Sequence, residues 1–279
     1  MVIKLKDLLK YGEEILRSGG VKEYKSDARF LASDFLSGDL SKIIITPNKE
    51  IDISLYNDML LKRVSGMPCQ YITKNVQFMS LDFEVSQDVL IPRQDTELLV
   101  ETIMKMGLKT PAVLDICTGS GCIAVSLAKY INCKCVRGCD ISENALQIAK
   151  KNAKRNSVNV EFYKDDILAS DKYDFKYDVV VSNPPYIETD VVLGLESIVK
   201  DYEPRIALDG GEDGLVFYRK IADYAKKVLN FGGLIALEIG YNQKDTVSEI
   251  LVQNGYENIV CISDLSGNDR VLTANVKKS

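Results

Sequence analysis

Asp178-Val179-Val180-Val181-Ser182-Asn183-Pro184-Pro185-Tyr186 is the stretch on which the reading of this chain turns. Its run of small, mostly β-branched residues predicts a strand buried on both faces, as in a parallel sheet. The strand has to stop at the two prolines, which cannot continue a ladder of hydrogen bonds. An amide, two carbonyls and an aromatic ring are thereby set at a strand's carboxyl end, where open α/β sheets bind their ligands. Pro184 and Pro185 have no N–H, so the loop offers acceptors and few donors. Such a loop suits a group that gives hydrogens away, an amino or amide NH2.

The sequence on either side predicts a doubly wound α/β domain with a mainly parallel sheet. Strands are expected at 112–116, 135–140, 158–163, 178–183 and 233–239, with helices at 122–130, 142–155 and 214–229 between them. Two further strands, 258–263 and 270–276, flank a Ser266-Gly267-Asn268 turn and bring the sheet to seven. Upstream, residues 1–65 carry leucines and alanines at helical spacing and predict a small helical bundle. Within residues 66–94, Val76-Gln77-Phe78-Met79 and Leu81-Asp82-Phe83-Glu84-Val85 alternate with period two around a short turn, which predicts a β-hairpin linker. Ile91-Pro92-Arg93 then leads into a helix with Asp95 or Thr96 as N-cap, and 95–279 forms the α/β domain.

Three strand ends ahead of the proline loop also carry chemistry. Val113 to Gly121 runs from a strand through Cys117-Thr118-Gly119-Ser120-Gly121 into a helix, a turn that lets a ligand approach the backbone. Gly119-Ser120-Gly121-x-x-Ala124 fits a dinucleotide fingerprint. Asp115 opposes that reading, because a carboxylate repels a pyrophosphate and attracts a cationic amino group. Asp140 follows some twenty residues on, the place of an acid that holds ribose hydroxyls; it also fits a helix cap, for which Ser142 is as good a candidate. Asp166 and Ile167 close the third strand, where an acid or backbone group can meet an adenine amino group and Ile167 can pack on the ring. Together these features point to a nucleoside bearing an amino acid, S-adenosylmethionine. Asn183 and Pro184 would each accept one hydrogen of a planar nitrogen, and Tyr186 would wall the substrate.

The 279 residues fit one large domain or a medium and a small one. No apolar run reaches the ~20 residues needed to cross a bilayer, and the amino terminus lacks a secretory core, which predicts a cytoplasmic protein without membrane contact. A net charge of -5 argues against sequence-independent binding to nucleic acid. The chain has no histidine, which removes imidazole bases and Ser-His or Cys-His pairs from the mechanism. Its seven cysteines include Cys133-x-Cys135-x3-Cys139, a spacing that matches no C-x2-C metal knuckle.

From about residue 26 to 275 the sequence resembles the glutamine methyltransferases of peptide-chain release factors, the HemK or PrmC family. The likeness rests on Gly66-x-Pro68-x-Gln70-Tyr71-Ile72, Leu90-Ile91-Pro92-Arg93-x-Asp95-Thr96-Glu97, Val113 to Ala124, and Asn183 to Tyr186. Tyr202-Glu203-Pro204-Arg205-x-Ala207-Leu208 and Gly210-Gly211-x-Asp213-Gly214 complete it. It implies a Rossmann-like class I methyltransferase domain and transfer of a methyl group to the glutamine nitrogen of a Gly-Gly-Gln loop in a class I release factor. It also implies S-adenosylmethionine held by Asp115, the loop from Cys117 to Gly121, Asp140, Asp166, Ile167 and Asn183, with the helical front end docking the partner. Cys117 stands where the family usually has glycine, and Ile167 or Leu168 where it often has an aromatic. The same proline loop occurs in adenine-N6 DNA methyltransferases, so methylation of an adenine or an RNA base is the alternative reading.

Overall fold

The computed structural model describes residues 1–277, with Ser197 described by its backbone alone. The chain divides into two bodies: residues 1–75 with 196–202, and residues 76–195 with 203 onward.

In the first body, Val2–Lys4 (β1) pairs antiparallel with Glu50–Asp52 (β2). Leu8–Ser18 (α1), Tyr24–Phe35 (α2), Lys42–Ile45 (α3), Ser54–Val64 (α4) and Cys69–Thr73 (α5) supply its helices, and the short helix Ser197–Lys200 (α10) joins them from far along the chain. Leu8, Leu16, Ala28, Leu31, Tyr56 and Leu60 form its dry centre, each apolar residue spaced to put one face of its helix inward. The Tyr56 hydroxyl donates to the Ala28 carbonyl at 3.0 Å, so the largest polar group there is satisfied.

The second body begins with a hairpin, Asn75–Phe78 (β3) and Leu81–Glu84 (β4). Met79 and Ser80 at its tip both have positive φ, 50° and 58°, the twist that a two-residue hairpin turn demands. Then follow Gln94–Lys105 (α6), Ala112–Ile116 (β5), Cys122–Tyr130 (α7), Cys135–Asp140 (β6), Glu143–Arg155 (α8), Glu161–Lys164 (β7) and Tyr177–Ser182 (β8). Thr189–Gly194 (α9), Val216–Val228 (α11), Leu229–Glu238 (β9), Lys244–Gln253 (α12), Tyr256–Ser263 (β10) and Asp269–Val276 (β11) complete it.

The seven-stranded sheet has the order β10-β11-β9-β8-β5-β6-β7. The four pairings among β5 to β9 are parallel, and β11 runs antiparallel to both β9 and β10. The doubly wound α/β fold expected from the sequence is therefore the fold observed, with helices on both faces. Every residue of β5 is buried, as a central strand covered on two sides must be. From β5 the chain steps outward through β6 to β7, then returns to the other side of β5 at β8. The strand order reverses between β5 and β8, which opens a crevice at their carboxyl ends.

Several boundaries differ from expectation for local reasons. Val158 and Val160 precede the third strand instead of opening it, because Ser157 turns at φ 56° and Val158 N–H caps the Ala153 carbonyl at 3.0 Å. Asp95 and Thr96 do not cap α6 but lie in its first turn, with Arg93 in the cap position. Ser142, by contrast, caps α8, accepting from Ala145 N–H at 3.2 Å. Helix α12 was not anticipated, although Val247, Ile250 and Leu251 have the spacing of a buried helical face.

Candidate active site

A cavity of about 220 Å3 occupies the crevice at the switch point. Its walls combine the glycine turn after β5, the ends of β6 and β7, the proline loop after β8, the segment before α6, and residues 204–207. All these residues belong to the second body.

The turn after β5 is built by hydrogen bonds within the chain. Thr118 N–H reaches the Cys139 carbonyl at 3.0 Å, and Gly121 N–H reaches the Thr118 carbonyl at 2.8 Å. Cys117 sits at φ 60°, a conformation that costs a residue with a Cβ roughly 1–2 kcal/mol. Gly119 is also left-handed, at φ 54°, and an added Cβ there would meet no protein atom within 4 Å. It lines the cavity, so its missing side chain keeps open a place where a ligand can lie on the backbone. Gly121 serves packing instead. A Cβ there would press to 3.0 Å on that of Ala149 and 3.1 Å on the Phe162 ring, so glycine lets α7 pack close.

Among the sequence-predicted residues, Cys117, Thr118, Gly119, Ser120, Asp140, Asp166, Ile167, Asn183 and Pro185 line the cavity together. Asp115, Gly121, Pro184 and Tyr186 are not among the lining residues. The Asp115 carboxyl is fully buried and accepts from the Thr118 hydroxyl at 2.6 Å and from Ala124 N–H at 3.2 Å. It clamps the two ends of the turn to each other. Burial pushes its pKa up to about 7, with the two hydrogen bonds pulling the other way, and its Oδ1 has no partner. Asp140 is fixed on both oxygens, by Gly119 N–H at 2.9 Å and Ser142 N–H at 2.9 Å; burial raises its pKa despite them.

The proline loop is held from behind. The Asn183 Nδ2 donates to the Thr96 hydroxyl oxygen at 3.1 Å, so Oδ1 is the end of the amide that Thr96 does not engage. The Ser182 hydroxyl donates to the Ile116 carbonyl at 2.6 Å and ties β8 to β5 at the crevice. Gly210 N–H donates to the Ile187 carbonyl at 2.7 Å, and Ile187 N–H donates to the Leu208 carbonyl at 3.0 Å. The Gln243 Nε2 reaches the Tyr186 carbonyl at 3.0 Å, while its Oε1 accepts from Gly240 N–H at 2.9 Å. The Tyr186 phenol is pushed up to about 12 by burial and stays neutral.

Sequence reasoning passed over Val89, Leu90, Ile141, Ile206 and Phe217, which also line the cavity. Ile141 follows Asp140 directly and could have been inferred; the others come from segments whose position only the fold reveals. Arg93 is there too, and it pairs with Glu203, whose side chain is 2% exposed. Cys117, Cys122 and Cys139 form part of the wall, and burial raises all three thiols, Cys122 and Cys139 to about 12.

The wall contains four carboxylates, Asp88, Asp140, Asp165 and Asp166, against the single guanidinium of Arg93. That balance repels a diphosphate and favours a cation. With Ile141, Ile167 and Leu168 beside Asp140, and open backbone at Gly119, the residues fit a nucleoside that carries a positively charged amino acid. S-adenosylmethionine has that chemistry; a dinucleotide does not.

Comparison with known proteins agrees. Residues 93–221 match the model of the methyltransferase small domain, and residues 7–73 that of the PrmC N-terminal domain. The chain is 42% identical to the release factor glutamine methyltransferase of Clostridium acetobutylicum, over 98% of each chain. It is 35% identical to that of Geobacter sulfurreducens, over 98% of this chain and 96% of the relative. A methyltransferase from Pyrococcus furiosus superposes with a TM-score of 0.54 at 22% identity, covering 79% of this chain and 98% of the other. A ribosomal protein L11 methylase from Lactobacillus delbrueckii subsp. bulgaricus gives 0.50 at 21% identity, over 68% and 82%; both share the fold. With conserved length and more than a third of its residues in common with such relatives, the chain belongs to the release factor glutamine methyltransferase family.

Proposed function

We propose that this protein methylates the side-chain nitrogen of the glutamine in a Gly-Gly-Gln loop of class I peptide-chain release factors, with Asn183 and Pro184 gripping the amide. The observation that carries the reading is the fixed Asn183 amide beside the cavity, its Nδ2 occupied by Thr96. S-adenosylmethionine supplies, when bound, a methyl group on a positively charged sulfur. Gly119 and its turn, Asp140, Asp166 and Ile167 would hold the donor, with Asp140 taking ribose hydroxyls and the isoleucines flanking the adenine. Asp115 would act one step back, by clamping the turn.

An amide nitrogen is a weak nucleophile because its lone pair is delocalised. The Asn183 Oδ1 and the Pro184 carbonyl would each accept one N–H and hold the nitrogen with its lone pair toward the donor. Such positioning contributes roughly 7–11 kcal/mol to lowering a barrier. Pro185 adds no N–H that would compete, and the neutral Tyr186 supplies apolar packing. The proton leaves after the new bond forms, so no base of tuned pKa is required. The chain has no histidine to provide one.

The partner in this reading is a protein, with neither nucleic acid nor membrane involved, and the setting is cytoplasmic. A net charge of -5 and the acidic cavity wall support the first point. No helix among the described residues is long and apolar enough to cross a membrane. Residues 1–65 would dock the partner, through exposed apolar side chains such as Ile44, Ile45 and Leu55; 66–94 would link them to a catalytic domain at 95–279. The test is methyl transfer to a purified release factor and, in parallel, to an adenine-containing oligonucleotide. Activity on the release factor alone, abolished by Asn183→Ala with donor binding retained, is expected. Activity on the oligonucleotide alone, or undiminished turnover by Asn183→Ala, would overturn the proposal.

A further inference from the structure

A side-chain amide can present either end to a substrate, and only its hydrogen-bond partners decide which. Asn183 Nδ2 donates to Thr96 Oγ1 at 3.1 Å. Thr96 is 2% exposed, and so is Glu238, the last residue of β9. The Glu238 carboxyl faces both the Thr96 hydroxyl and the Asn183 amide, and its buried Oε2 has no hydrogen-bond partner. A hydroxyl has one hydrogen to give. If the Thr96 oxygen receives from Asn183, its hydrogen must go elsewhere, and a carboxylate that can only accept is next to it. The polarity then runs one way, from amide to hydroxyl to carboxylate.

We propose that Thr96 and Glu238 are positioning residues that set the direction of this chain and so hold the Asn183 carbonyl oxygen toward the substrate amide. The proposal rests on the role given to Asn183 above. Replacing the carboxylate by an amide would let Nε2 donate to Thr96, turn the hydroxyl hydrogen back toward Asn183 and favour the flipped amide. A flipped Asn183 would offer N–H groups to the substrate's amide nitrogen, which itself has only N–H groups to give. Arg270, Asp95, Tyr186, Tyr218 and Cys122 are the other titratable groups around Glu238. Burial pushes its carboxyl up to about 7, against the pull of Thr96 and Arg270. Protonation reverses the chain, so turnover should fall as the pH drops through that value.

The experiment measures kcat, KM and donor affinity for full-length Thr96→Val, Thr96→Ser, Glu238→Gln and Asn183→Ala, with a release factor as acceptor. Thr96→Val and Glu238→Gln should each lower kcat by about 10²-fold, the usual cost of a misplaced reacting group, with donor affinity within about twofold. Thr96→Ser should keep wild-type turnover, and the acid limb of the kcat profile should vanish in Glu238→Gln. Near wild-type kcat in Thr96→Val or Glu238→Gln, beside an inactive Asn183→Ala, overturns the positioning role alone. Donor affinity that falls together with kcat does the same, because it marks a structural role. An active Asn183→Ala instead overturns the underlying reading. Should neither substituted protein fold, a wild-type kcat profile that is flat through pH 7 overturns the proposal, and a fall there that persists in Asp115→Asn supports it.

Discussion

Gly210→Ala tests whether the proline loop works as a fixed clamp. Gly210 lies directly behind that loop, and a Cβ added there would sit 2.7 Å from the Tyr186 Cα, 2.8 Å from its carbonyl carbon and 2.9 Å from the Pro185 oxygen. Carbon atoms in contact rest at about 3.5–4.0 Å, so the two segments must part by roughly 1 Å. All three atoms are main chain, and no rotamer change relieves them. Nor can the segments part freely, since Gly210 N–H holds the Ile187 carbonyl at 2.7 Å and Ile187 N–H holds the Leu208 carbonyl at 3.0 Å. The strain must therefore push the loop toward the cavity or break these bonds. A displacement near 1 Å costs about 10² in rate, equivalent to about 2.7 kcal/mol of transition-state stabilisation. The overpacking should also remove about 1–3 kcal/mol of stability. Steady-state methyl transfer with a radiolabelled donor, thermal melting and calorimetric donor affinity together read the effect. Donor affinity should hold, because the glycine turn lies on another strand. Turnover within about threefold of wild type at unchanged stability would show that the loop yields without cost, and would refute the clamp.

Asn152→Ala should lower stability by about 3–5 kcal/mol in denaturant unfolding: its buried amide serves the Glu84 N–H and carbonyl and the Ser120 carbonyl at 2.7–3.0 Å, and each would lose its partner. Asp140→Ala should weaken donor binding with little change in melting temperature, measured by calorimetry. The Asp115 carboxyl releases its proton near 4 when unfolded and near 7 when folded. The folded state therefore binds the extra proton between those values, so stability should decline as pH rises from about 4 to about 7 and level off above. Asp115→Asn should flatten that slope in melting curves. Cys117→Ile should cost about 1–3 kcal/mol more than Cys117→Ala in the same assay, since a β-branched side chain is forced to φ 60°.

What could be read from the sequence was whatever depends on period and punctuation. The valines of β8 and the prolines after it announced a buried strand and its stop; Gly119 and Gly121 announced a turn with close approach. The acids were legible as strand ends but not as to where each would point. Asp115 and Asp140 look alike in sequence, yet one turns inward onto Thr118 and Ala124 while the other lies on the wall. Thr96 read as a helix cap, because spacing alone cannot show that its hydroxyl meets a loop 87 residues on. Asn152 and Gln243 carried no local signal either, and Gly210 showed only as part of a motif without a stated task, as each acts on backbone that only folding brings near.

Cys117, Cys122 and Cys139 border the cavity proposed above to admit a reactive methyl donor, where a thiolate would be a competing nucleophile. Burial and neighbouring carboxylates keep all three thiols protonated at neutral pH, and a thiol is inert where its anion is reactive. The pocket is thereby protected from self-alkylation and slow to oxidise without giving up the small, well-packed sulfur side chains that shape it.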